Sequence, residues 1–525
     1  MSASPLHDSS PDLPRLPRHI RALREGKDGQ ITGRNLIVCL DGTGDKFDGD
    51  NSNIVHLVSC LKKSDPTQLT YYQSGIGTYD GGGLSNGLRA GMDMAVGSGL
   101  GVHVRDAYMF LMQNFHDGDR ISIFGFSRGA YTARCLGGMI HKVGILPAHN
   151  ISQVQFAYQF YKDDSKEGWE MSYDFKKTFC ADVSVHFIGV FDSVASVGFV
   201  PRRLPLSSTP YNKSAYFRHA MALDERRAKF KVCRFQTRDH VSGSHARWET
   251  VAQLHEDAVE GQGVRSFSSD LGVIEPESEK DNTSDEADAR LKAQRGPVKQ
   301  TDVLEVWFTG AHADTGGGAV KNEVRHKLAQ IPLRWMIRQC FECNTGIIFK
   351  THALAEKGMD VHTLWPTYTT LQKPPAGSPP GVAEKYKTQP LPTLHRRATL
   401  LRPVDAQDPE SPHSLAIWKS PSQNELHDHW TPEYVEDWFD AMAPINDQLK
   451  DAKGWWILEL WPIKVKVQPK GEEEWVKKVS VNLGRYRPVQ DHRPNLHWTV
   501  RQRMRVLGYQ PRVRVDRKGE WVVVD

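Results

Sequence analysis

The sequence predicts an α/β fold with a mainly parallel central sheet and helices on both faces. Short, nearly uninterrupted apolar runs at residues 36–40, 121–124, 183–191 and 301–308 are typical of parallel strands that are buried on both faces. Small or polar residues follow each run, and helix-spaced apolar residues fill several of the stretches between the runs. This alternation of strands and helices favours the α/β class.

The remaining elements follow from the same patterns. Further strands are predicted at residues 69–73 and 231–236. Helices are predicted at residues 53–61, within 92–115, at 153–161, at 218–227 and at 331–343. Another helix is predicted after Gly129 and continues through residue 140. The helix at 218–227 is expected because its acidic and basic residues would share one turn.

The length of 525 residues predicts one large domain with appendages. Residues 1–30 are charged, contain Pro and Ser and lack the apolar segment of a signal peptide, so we expect a disordered N-terminal tail. Residues 31–350 hold the predicted sheet, and the Ser- and acid-rich stretch 267–298 within them is expected to be a flexible acidic insertion. The chain then becomes Pro-rich and irregular, which predicts a C-terminal extension or cap over 351–525.

Composition excludes several classes of protein. A net charge of +4 is too small at this length to predict a nucleic-acid partner. The cysteines are odd in number and mostly lie in apolar runs, which indicates buried free thiols in a reducing compartment. Cys340-x-x-Cys343 has no second pair at zinc-finger spacing, and no metal or organic cofactor is expected. No apolar run reaches transmembrane length, so the expected location is cytoplasmic.

The apolar run at 121–124 leads into the chemically most informative segment. It ends in Gly125-Phe-Ser-Arg-Gly129, and an Ala-rich helical pattern follows. A G-x-S-x-G pattern between a strand and a helix predicts a nucleophile elbow with Ser127 at its apex. Glycines are needed on both sides because the serine backbone is strained and the strand and helix nearly touch.

A serine hydroxyl is a poor nucleophile unless a histidine accepts its proton and an acid orients that histidine. Asp192 follows the run at 183–191, and His312 follows the run at 301–308. Active sites of open α/β sheets lie at the carboxyl ends of the strands, where all three residues are expected. The sequence therefore predicts Ser127 as nucleophile, Asp192 as orienting acid and His312 as base. An oxyanion hole would combine the Arg128 N–H with an N–H from the Gly42-Thr43 turn.

Each candidate also has a purely structural interpretation. The glycine-flanked serine is also compatible with an ordinary tight βα turn. Asp192 is also in a suitable place for a helix N-cap, and His312 for a loop histidine that donates to backbone. The side chain of Arg128 is also suited to pairing with a local carboxylate.

Three further polar residues near these positions are assigned structural roles. Asp314 competes with Asp192 for a catalytic role, but capping of the following turn is the favoured interpretation. His219 is expected to be a packed, hydrogen-bonded histidine rather than the base, and Asp41 to fix the amides of its turn.

Five motifs carry a resemblance to a known family: Leu40-Asp-Gly-Thr43 with Asn53-Ile-Val55, Gly125-Phe-Ser-Arg-Gly-Ala-Tyr-Thr-Ala-Arg134, Phe191-Asp-Ser-Val194, His219-Ala-Met-Ala-Leu-Asp-Glu-Arg226 and Trp307-Phe-x-Gly-x-His-x-Asp-x-Gly-Gly317. The chain resembles the α/β-hydrolase family that includes the type VI secretion phospholipase effectors, over roughly residues 34–350. Its C-terminal part resembles the fungal members through 455–462 and Asn482-Leu-Gly-Arg485.

The resemblance implies an α/β-hydrolase-like catalytic domain over 31–350 with a Ser-Asp-His triad on Ser127, Asp192 and His312. It also implies hydrolysis of carboxylic esters, with phospholipase activity known for the bacterial effectors. Two positions depart from the family pattern, since Gly44 stands where Trp is usual and Ser193 stands where Thr is commoner.

The expected function is therefore that of a serine ester hydrolase acting on a lipid or other acyl ester through an acyl-enzyme. A non-catalytic scaffold that keeps the hydrolase fold is the alternative. The basic segments 501–505 and 512–517 are candidates for contact with an anionic membrane surface, although a solvated face of a cap is the commoner outcome of such a pattern.

Overall fold

A computed structural model describes residues 17–24, 33–43, 45–75, 99–194, 204, 214–235, 301–365, 368, 432–467, 476–515 and 519–524. The predicted insertion at 267–298, most of the predicted N-terminal tail and Gly44 lie outside the described residues. Within those ranges, no helix combines the length and the apolar character that a membrane crossing needs.

The strands of the described residues are β1 His19–Arg21, β2 Asn35–Leu40, β3 Gln68–Gln73, β4 Arg120–Phe126, β5 Val185–Phe191, β6 Ser214–Ala222, β7 Asp302–Phe308, β8 Ile348–Lys350, β9 Pro462–Val467, β10 Val476–Val481, β11 Pro488–Val489, β12 Asn495–His497, β13 Arg514–Val515 and β14 Val522–Val524. The α-helices are α1 Asn53–Cys60, α2 Gly99–Asn114, α3 Ser127–Val143, α4 Val154–Lys162, α5 Lys166–Phe179, α6 His312–Gly316, α7 Gln330–Glu342, α8 Thr351–Glu356, α9 Glu433–Met442, α10 Gln448–Asp451, α11 Trp456–Glu459 and α12 Trp498–Leu507.

The fold is organised around one eight-stranded sheet in the order β14–β12–β7–β6–β5–β4–β2–β3. Every neighbouring pair in this sheet is parallel. The predicted α/β fold class is therefore confirmed. All carboxyl ends point to one edge of the sheet, where the side chains that follow each strand can meet.

Apolar residues on both faces of the strands build two separate core layers. In β4, Ile121 and Ile123 pack into one layer, whereas Phe124 and Phe126 pack into the other. Successive side chains of a strand point to opposite faces, so a continuous apolar run supplies both layers. Helices α2 to α5 contribute to the first layer, and α1, α7 and α8 contribute to the second.

The predicted helix at 218–227 is wrong, because its first half belongs to β6 in the middle of the sheet. Two buried polar side chains interrupt the apolar pattern of this strand in the sequence. Arg218 donates to Gln339 and Asp302, and His219 bonds to Glu305 of the neighbouring strand. Polar residues that find partners inside the core remove the apolar pattern by which a buried strand is recognised. The strand predicted at 231–236 is also absent from its described part, where Val232 makes a single bridge to Val194.

The boundary predicted at residue 350 does not separate two structural units among the described residues. Strands β12 and β14, from the predicted extension, continue the main sheet beyond β7. Helix α9 is tied to α7 by buried ion pairs, in which Arg334 binds Asp437 and Arg338 binds Glu433. The short segments 495–497 and 522–524 are too short for sequence patterns to identify as sheet strands.

The N-terminal prediction also needs correction for residues 17–24. Strand β1 pairs antiparallel with β8, with His19 opposite Lys350 and Arg21 opposite Ile348. The Thr351 hydroxyl donates to the carbonyl of Pro17, which adds a further link. Residues 19–21 of the predicted disordered tail therefore form an ordered strand.

Candidate active site

Ser127 lies at the junction of β4 and α3, as the elbow pattern predicts. Its φ is +57°, a left-handed conformation that is rare for residues other than glycine. A Cβ at Gly125 would lie 2.5 Å from the Gly129 carbonyl oxygen, and one at Gly129 would lie 2.3 Å from the carbonyl oxygens of Leu40 and Asp41. Both positions therefore require glycine, and the interpretation as an ordinary turn leaves the strained serine unexplained.

The structure brings Ser127, His312 and Asp192 together at the carboxyl edge of the sheet. His312 Nε2 is 2.8 Å from Ser127 Oγ, and His312 Nδ1 is 2.5 Å from Asp192 Oδ2. All three side chains are buried. Each follows a different strand of the sheet: Ser127 follows β4, Asp192 follows β5 and His312 follows β7. This is the geometry that nucleophilic serine catalysis needs.

The ring of His312 is fixed by aromatic neighbours as well as by its hydrogen bonds. Phe126 packs against it at a centroid distance of 4.8 Å, and Phe230 packs edge-on at 4.8 Å. The backbone N–H of His312 donates to Glu225. The imidazole therefore has little freedom to turn away from Ser127.

Burial and neighbouring charges set the protonation of these groups. Burial lowers the pKa of His312 below its ordinary value, and the Asp192 carboxylate opposes this shift only in part. Burial alone would raise the pKa of Asp192, but the charge of Arg487 and the hydrogen bonds from His312 and Arg487 hold it well below its ordinary value. Around neutral pH the acid is thus ionised and the base is neutral, as proton transfer from a serine requires.

The turn after β2 lies against the elbow, where the second oxyanion donor is expected. The Gly42 N–H donates to the carboxylate of Asp41 at 2.8 Å, so this amide is bound within its own turn. The Asp41 carboxylate also accepts from the Tyr72 hydroxyl, in keeping with its expected structural role. Thr43, next in the turn, and Arg128, in the first turn of α3, are the other predicted donors.

The side chain of Arg128 is buried, and its charge acts on one local carboxyl group, that of Asp45. Burial raises the pKa of Asp45 well above its ordinary value, and the charge of Arg128 partly opposes this rise. The guanidinium therefore contributes to local charge balance, whereas its backbone N–H is the group expected at the oxyanion hole.

The other two polar residues weighed in the sequence have structural partners. Asp314 accepts from the Ala311 N–H and from the side chain of Asn446, which makes it a cap. His219 bonds to Glu305 through Nδ1 and accepts the Ser193 N–H at Nε2, and it is fully buried. It supports the loop that carries Asp192, although from a strand rather than from the predicted helix.

Arg487 was missed by sequence reasoning. Its guanidinium binds both carboxylate oxygens of Asp192, at 2.6 Å and 2.8 Å. It comes from the C-terminal region, 295 residues after Asp192. No local motif distinguishes it among the 67 lysines and arginines of the chain, so no sequence signal identifies it.

Glu225 and Arg227 form a second buried ion pair beside His312. Arg227 Nη2 is 2.8 Å from Glu225 Oε2, and the guanidinium carbon lies 3.5 Å from the centroid of the Phe230 ring. Glu225 falls within a motif that carried the family resemblance, and that motif was the signal available for this pair. Its assignment to a helix concealed how close the segment lies to the base.

The family model described as "T6SS, Phospholipase effector Tle1-like, catalytic domain" matches residues 34–339. The uncharacterized protein YEL023C of Saccharomyces cerevisiae is 28% identical over 580 residues, an alignment that covers 94% of this chain and 81% of the yeast protein.

Two solved structures are also similar. A crystal structure of an uncharacterized protein from Pseudomonas aeruginosa matches with a TM-score of 0.30 and 14% identity, covering 80% of this chain and 69% of that one. The structure of the Tle1 effector bound to the VgrG spike of the type 6 secretion system matches with a TM-score of 0.22 and 17% identity, covering 38% of this chain and 47% of that one.

Proposed function

The chain belongs to the family of Tle1-like phospholipase effector catalytic domains, and on that premise we propose that it is a serine hydrolase of lipid esters. Ser127 is the proposed nucleophile, His312 the base and Asp192 the orienting acid. The observation that carries this proposal is the continuous hydrogen-bond chain of 2.8 Å and 2.5 Å through the buried imidazole.

In the first step, Ser127 Oγ attacks the ester carbonyl carbon and its proton passes to His312 Nε2. Asp192 accepts the hydrogen bond from Nδ1–H, which fixes the tautomer and stabilises the imidazolium. The carbonyl oxygen becomes an oxyanion, for which the N–H groups of Arg128 and Thr43 are the proposed donors. One such donor contributes about 10²- to 10³-fold to turnover in related chemistry.

The tetrahedral intermediate then collapses. The C–O bond to the alcohol breaks, and His312 returns its proton to the leaving oxygen, which leaves an acyl group on Ser127. A water molecule then attacks the acyl carbon and gives one proton to His312, after which the bond from the acyl carbon to Ser127 Oγ breaks and His312 returns the proton to Oγ. The products are a carboxylic acid and an alcohol, and the serine is regenerated.

The proposal is tested by comparing Ser127→Ala with wild type on a short p-nitrophenyl ester and on a panel of phospholipids. We expect hydrolysis of at least one of these substrates by wild type and a fall of about 10⁴-fold or more in the variant. Ser59→Ala, which alters an exposed serine on α1, is the matched control and should keep full activity. Activity that survives Ser127→Ala would refute the assignment.

A binding scaffold that keeps the hydrolase fold is the rival function. A scaffold function gives no reason for the strained backbone of Ser127. A φ of +57° is destabilising, and a protein that only binds a partner would gain nothing from it. A purified wild-type protein that hydrolyses no ester in the panel and resists a fluorophosphonate probe would favour the scaffold.

We further propose that the apolar surface around α11 meets the lipid interface. Its exposed fractions are 39% for Trp456, 76% for Ile457, 64% for Leu460 and 48% for Trp461. The preceding residue, Trp455, packs edge-on against Phe230, which packs against His312. An exposed apolar surface that adjoins the site is typical of an enzyme whose substrate lies in an interface.

Charge on the same segments favours an anionic lipid surface. Lys450 and Lys453 lie just before α11, and Arg485 follows Gly484, which adjoins Trp456; all three bases are exposed, as is the acid Asp451. By contrast, the predicted basic segment at 501–505 presents less charge than its sequence indicates, because Arg503 is buried and donates to carbonyl groups. Basic residues beside an apolar surface add attraction to anionic headgroups.

Sedimentation with phosphatidylserine-containing vesicles tests this surface. Ile457→Ser with Leu460→Ser should weaken vesicle binding and hydrolysis of vesicle lipid, while hydrolysis of a soluble short ester is kept. Ile151→Ser with Met171→Ser, which changes exposed apolar residues elsewhere, is the matched control. Equal vesicle binding by the two double variants would contradict the proposal.

A further inference from the structure

Arg487 binds the proposed catalytic acid with all five of its N–H groups engaged locally. Nη1 donates to Asp192 Oδ1 at 2.6 Å and to the Ala222 carbonyl at 3.0 Å. Nη2 donates to Asp192 Oδ2 at 2.8 Å and to the Phe230 carbonyl at 2.5 Å, and Nε donates to the same carbonyl at 3.0 Å. The planar fork of an arginine thus spans both carboxylate oxygens, an arrangement that lysine cannot reproduce.

The carboxylate is held from every side. Oδ1 accepts from Arg487 and from the Ala222 N–H at 3.0 Å, and Oδ2 accepts from Arg487 and from His312. Asp192 is fully buried and has a φ of +39°, which is strained for an aspartate. An isolated carboxylate in such a place would be strongly destabilised, and a paired one is ionised and oriented.

We propose that Arg487 is a positioning residue for the reaction, which keeps Asp192 charged and aimed at His312 and so makes the C-terminal region part of the catalytic apparatus. The inference rests on the proposed function, since it assigns Arg487 a role in the triad on Ser127. It also gives a physical reason why the region after residue 351 accompanies the catalytic part.

The charges that face His312 come from several elements. Asp192 and Arg487 form one ion pair beside it, and Glu225 and Arg227 form the other. Fully buried His219 lies next to Asp192 through the Ser193 amide. When both ion pairs are intact, the two anions and two cations beside His312 add up to a net charge of zero. This balance depends on Arg487.

Removal of the Arg487 charge has a defined consequence for pH dependence. The Asp192 carboxyl would lose the cation that favours its ionised form, so it would take up a proton at higher pH. His312 would lose a neighbouring positive charge, so it would also protonate at higher pH. Both changes raise the pH at which kcat/KM begins to fall on the acid side of the pH–rate profile. This acid limb therefore moves toward neutral pH.

The test compares Arg487→Met, Arg487→Lys and the control Arg493→Met, which changes a nearby exposed arginine, in the full-length protein. For Arg487→Met we expect kcat to fall about 10²-fold, as for other supporting groups, and the acid limb of kcat/KM to rise by about one pH unit or more. Arg487→Lys keeps the charge and should retain the wild-type limb with an intermediate kcat. Arg493→Met should match wild type.

Asp192→Asn and the double variant Asp192→Asn with Arg487→Met complete a mutant cycle. If Arg487 acts through Asp192, its removal in the Asp192→Asn background should change kcat by less than about threefold. The inference would be overturned if Arg487→Met lowered kcat by the same factor in the wild-type and Asp192→Asn proteins. A folded Arg487→Met protein with the wild-type limb, or one whose activity falls only in proportion to its folded fraction, would also overturn it.

Ser127→Ala, measured in parallel, separates the two hypotheses. If Ser127→Ala abolishes hydrolysis while Arg487→Met leaves kcat and its pH profile unchanged, the inference fails and the proposed function stands. If Ser127→Ala is active, the proposed function fails, and the role of Arg487 fails with it.

Discussion

Two regions of the molecule meet at Asp192, and they contribute different things to it. The region matched by the family model, residues 34–339, supplies Ser127, Asp192 and His312 on three strand–loop junctions of one sheet. The C-terminal region, residues 432–524, supplies Arg487, two strands of the same sheet and a helix held by buried ion pairs. The proposed reacting groups are thus local to one region, whereas their electrostatic setting is shared by both.

The family match over residues 34–339 does not mark the limits of a folding unit. Strand β12 covers the edge of β7, and Leu496 packs with Trp307 in a third apolar cluster. An uncovered, apolar strand edge is prone to pair with other chains. The two regions therefore depend on each other for stability as well as for the site.

We expect the largest effect on folding when the C-terminal region is removed. A fragment that ends at residue 365 would expose the edge of β7, leave Arg334 and Arg338 without their carboxylate partners on α9, and leave Asp192 without Arg487. We expect it to be insoluble or to lack a cooperative thermal transition, which expression and calorimetry would show. A soluble fragment with the wild-type Tm would show that the first region folds without the C-terminal region.

A smaller effect distinguishes Asp192 from Ser127, two members of the proposed triad. Asp192→Asn leaves the guanidinium of Arg487 buried without its carboxylate, and breaking a buried pair in this way costs about 3–5 kcal/mol of the free energy of unfolding. Ser127→Ala removes no charge and should change that free energy by less than about 1 kcal/mol. Urea unfolding of both variants measures the difference. Equal stabilities would mean that the contact between the regions contributes little.

The protonation of His312 gives a test that leaves the sequence unchanged. Burial lowers its pKa more than Asp192 raises it, so the imidazole stays neutral, and able to accept a proton, to pH values below 6.5. We expect kcat/KM to be retained as the pH falls to about 6.5 and to be lost only at lower pH. A pH–rate profile whose acid limb has its midpoint above this value would contradict the proposed environment of the base.

The smallest expected effect concerns a part of the C-terminal region that faces solvent. Ile457 is 76% exposed, and its change to Ser should alter the free energy of unfolding by no more than about 0.5 kcal/mol. Thermal unfolding without lipid measures this. A large destabilisation would show that the surface is part of the fold and would weaken its assignment to the lipid interface.

The sequence predicts the fold class and the three residues now found in contact, because each follows a buried apolar run and one lies in a glycine-constrained motif. The geometry of the elbow is encoded locally, since Gly125 and Gly129 are required by contacts within a few residues or with the adjacent strand.

Long-range ion pairs were not predictable from the sequence. The partners of Asp192 and of Arg338 are separated from them by 295 and 95 residues, and nothing in the local sequence specifies those distances. The same kind of pairing concealed β6, because Arg218 and His219 are satisfied by neighbours that only the folded sheet provides.

We propose that His312 activates the hydroxyl of Ser127, and this activation makes the serine reactive toward electrophiles. The activation is tested most directly by mass spectrometry of the intact, full-length protein after exposure to a fluorophosphonate probe. We predict one adduct, located by peptide mapping on Ser127 and absent from Ser127→Ala, with much slower labelling of His312→Ala. A folded wild-type protein that remains unlabelled, or an adduct located on another serine, would contradict the account.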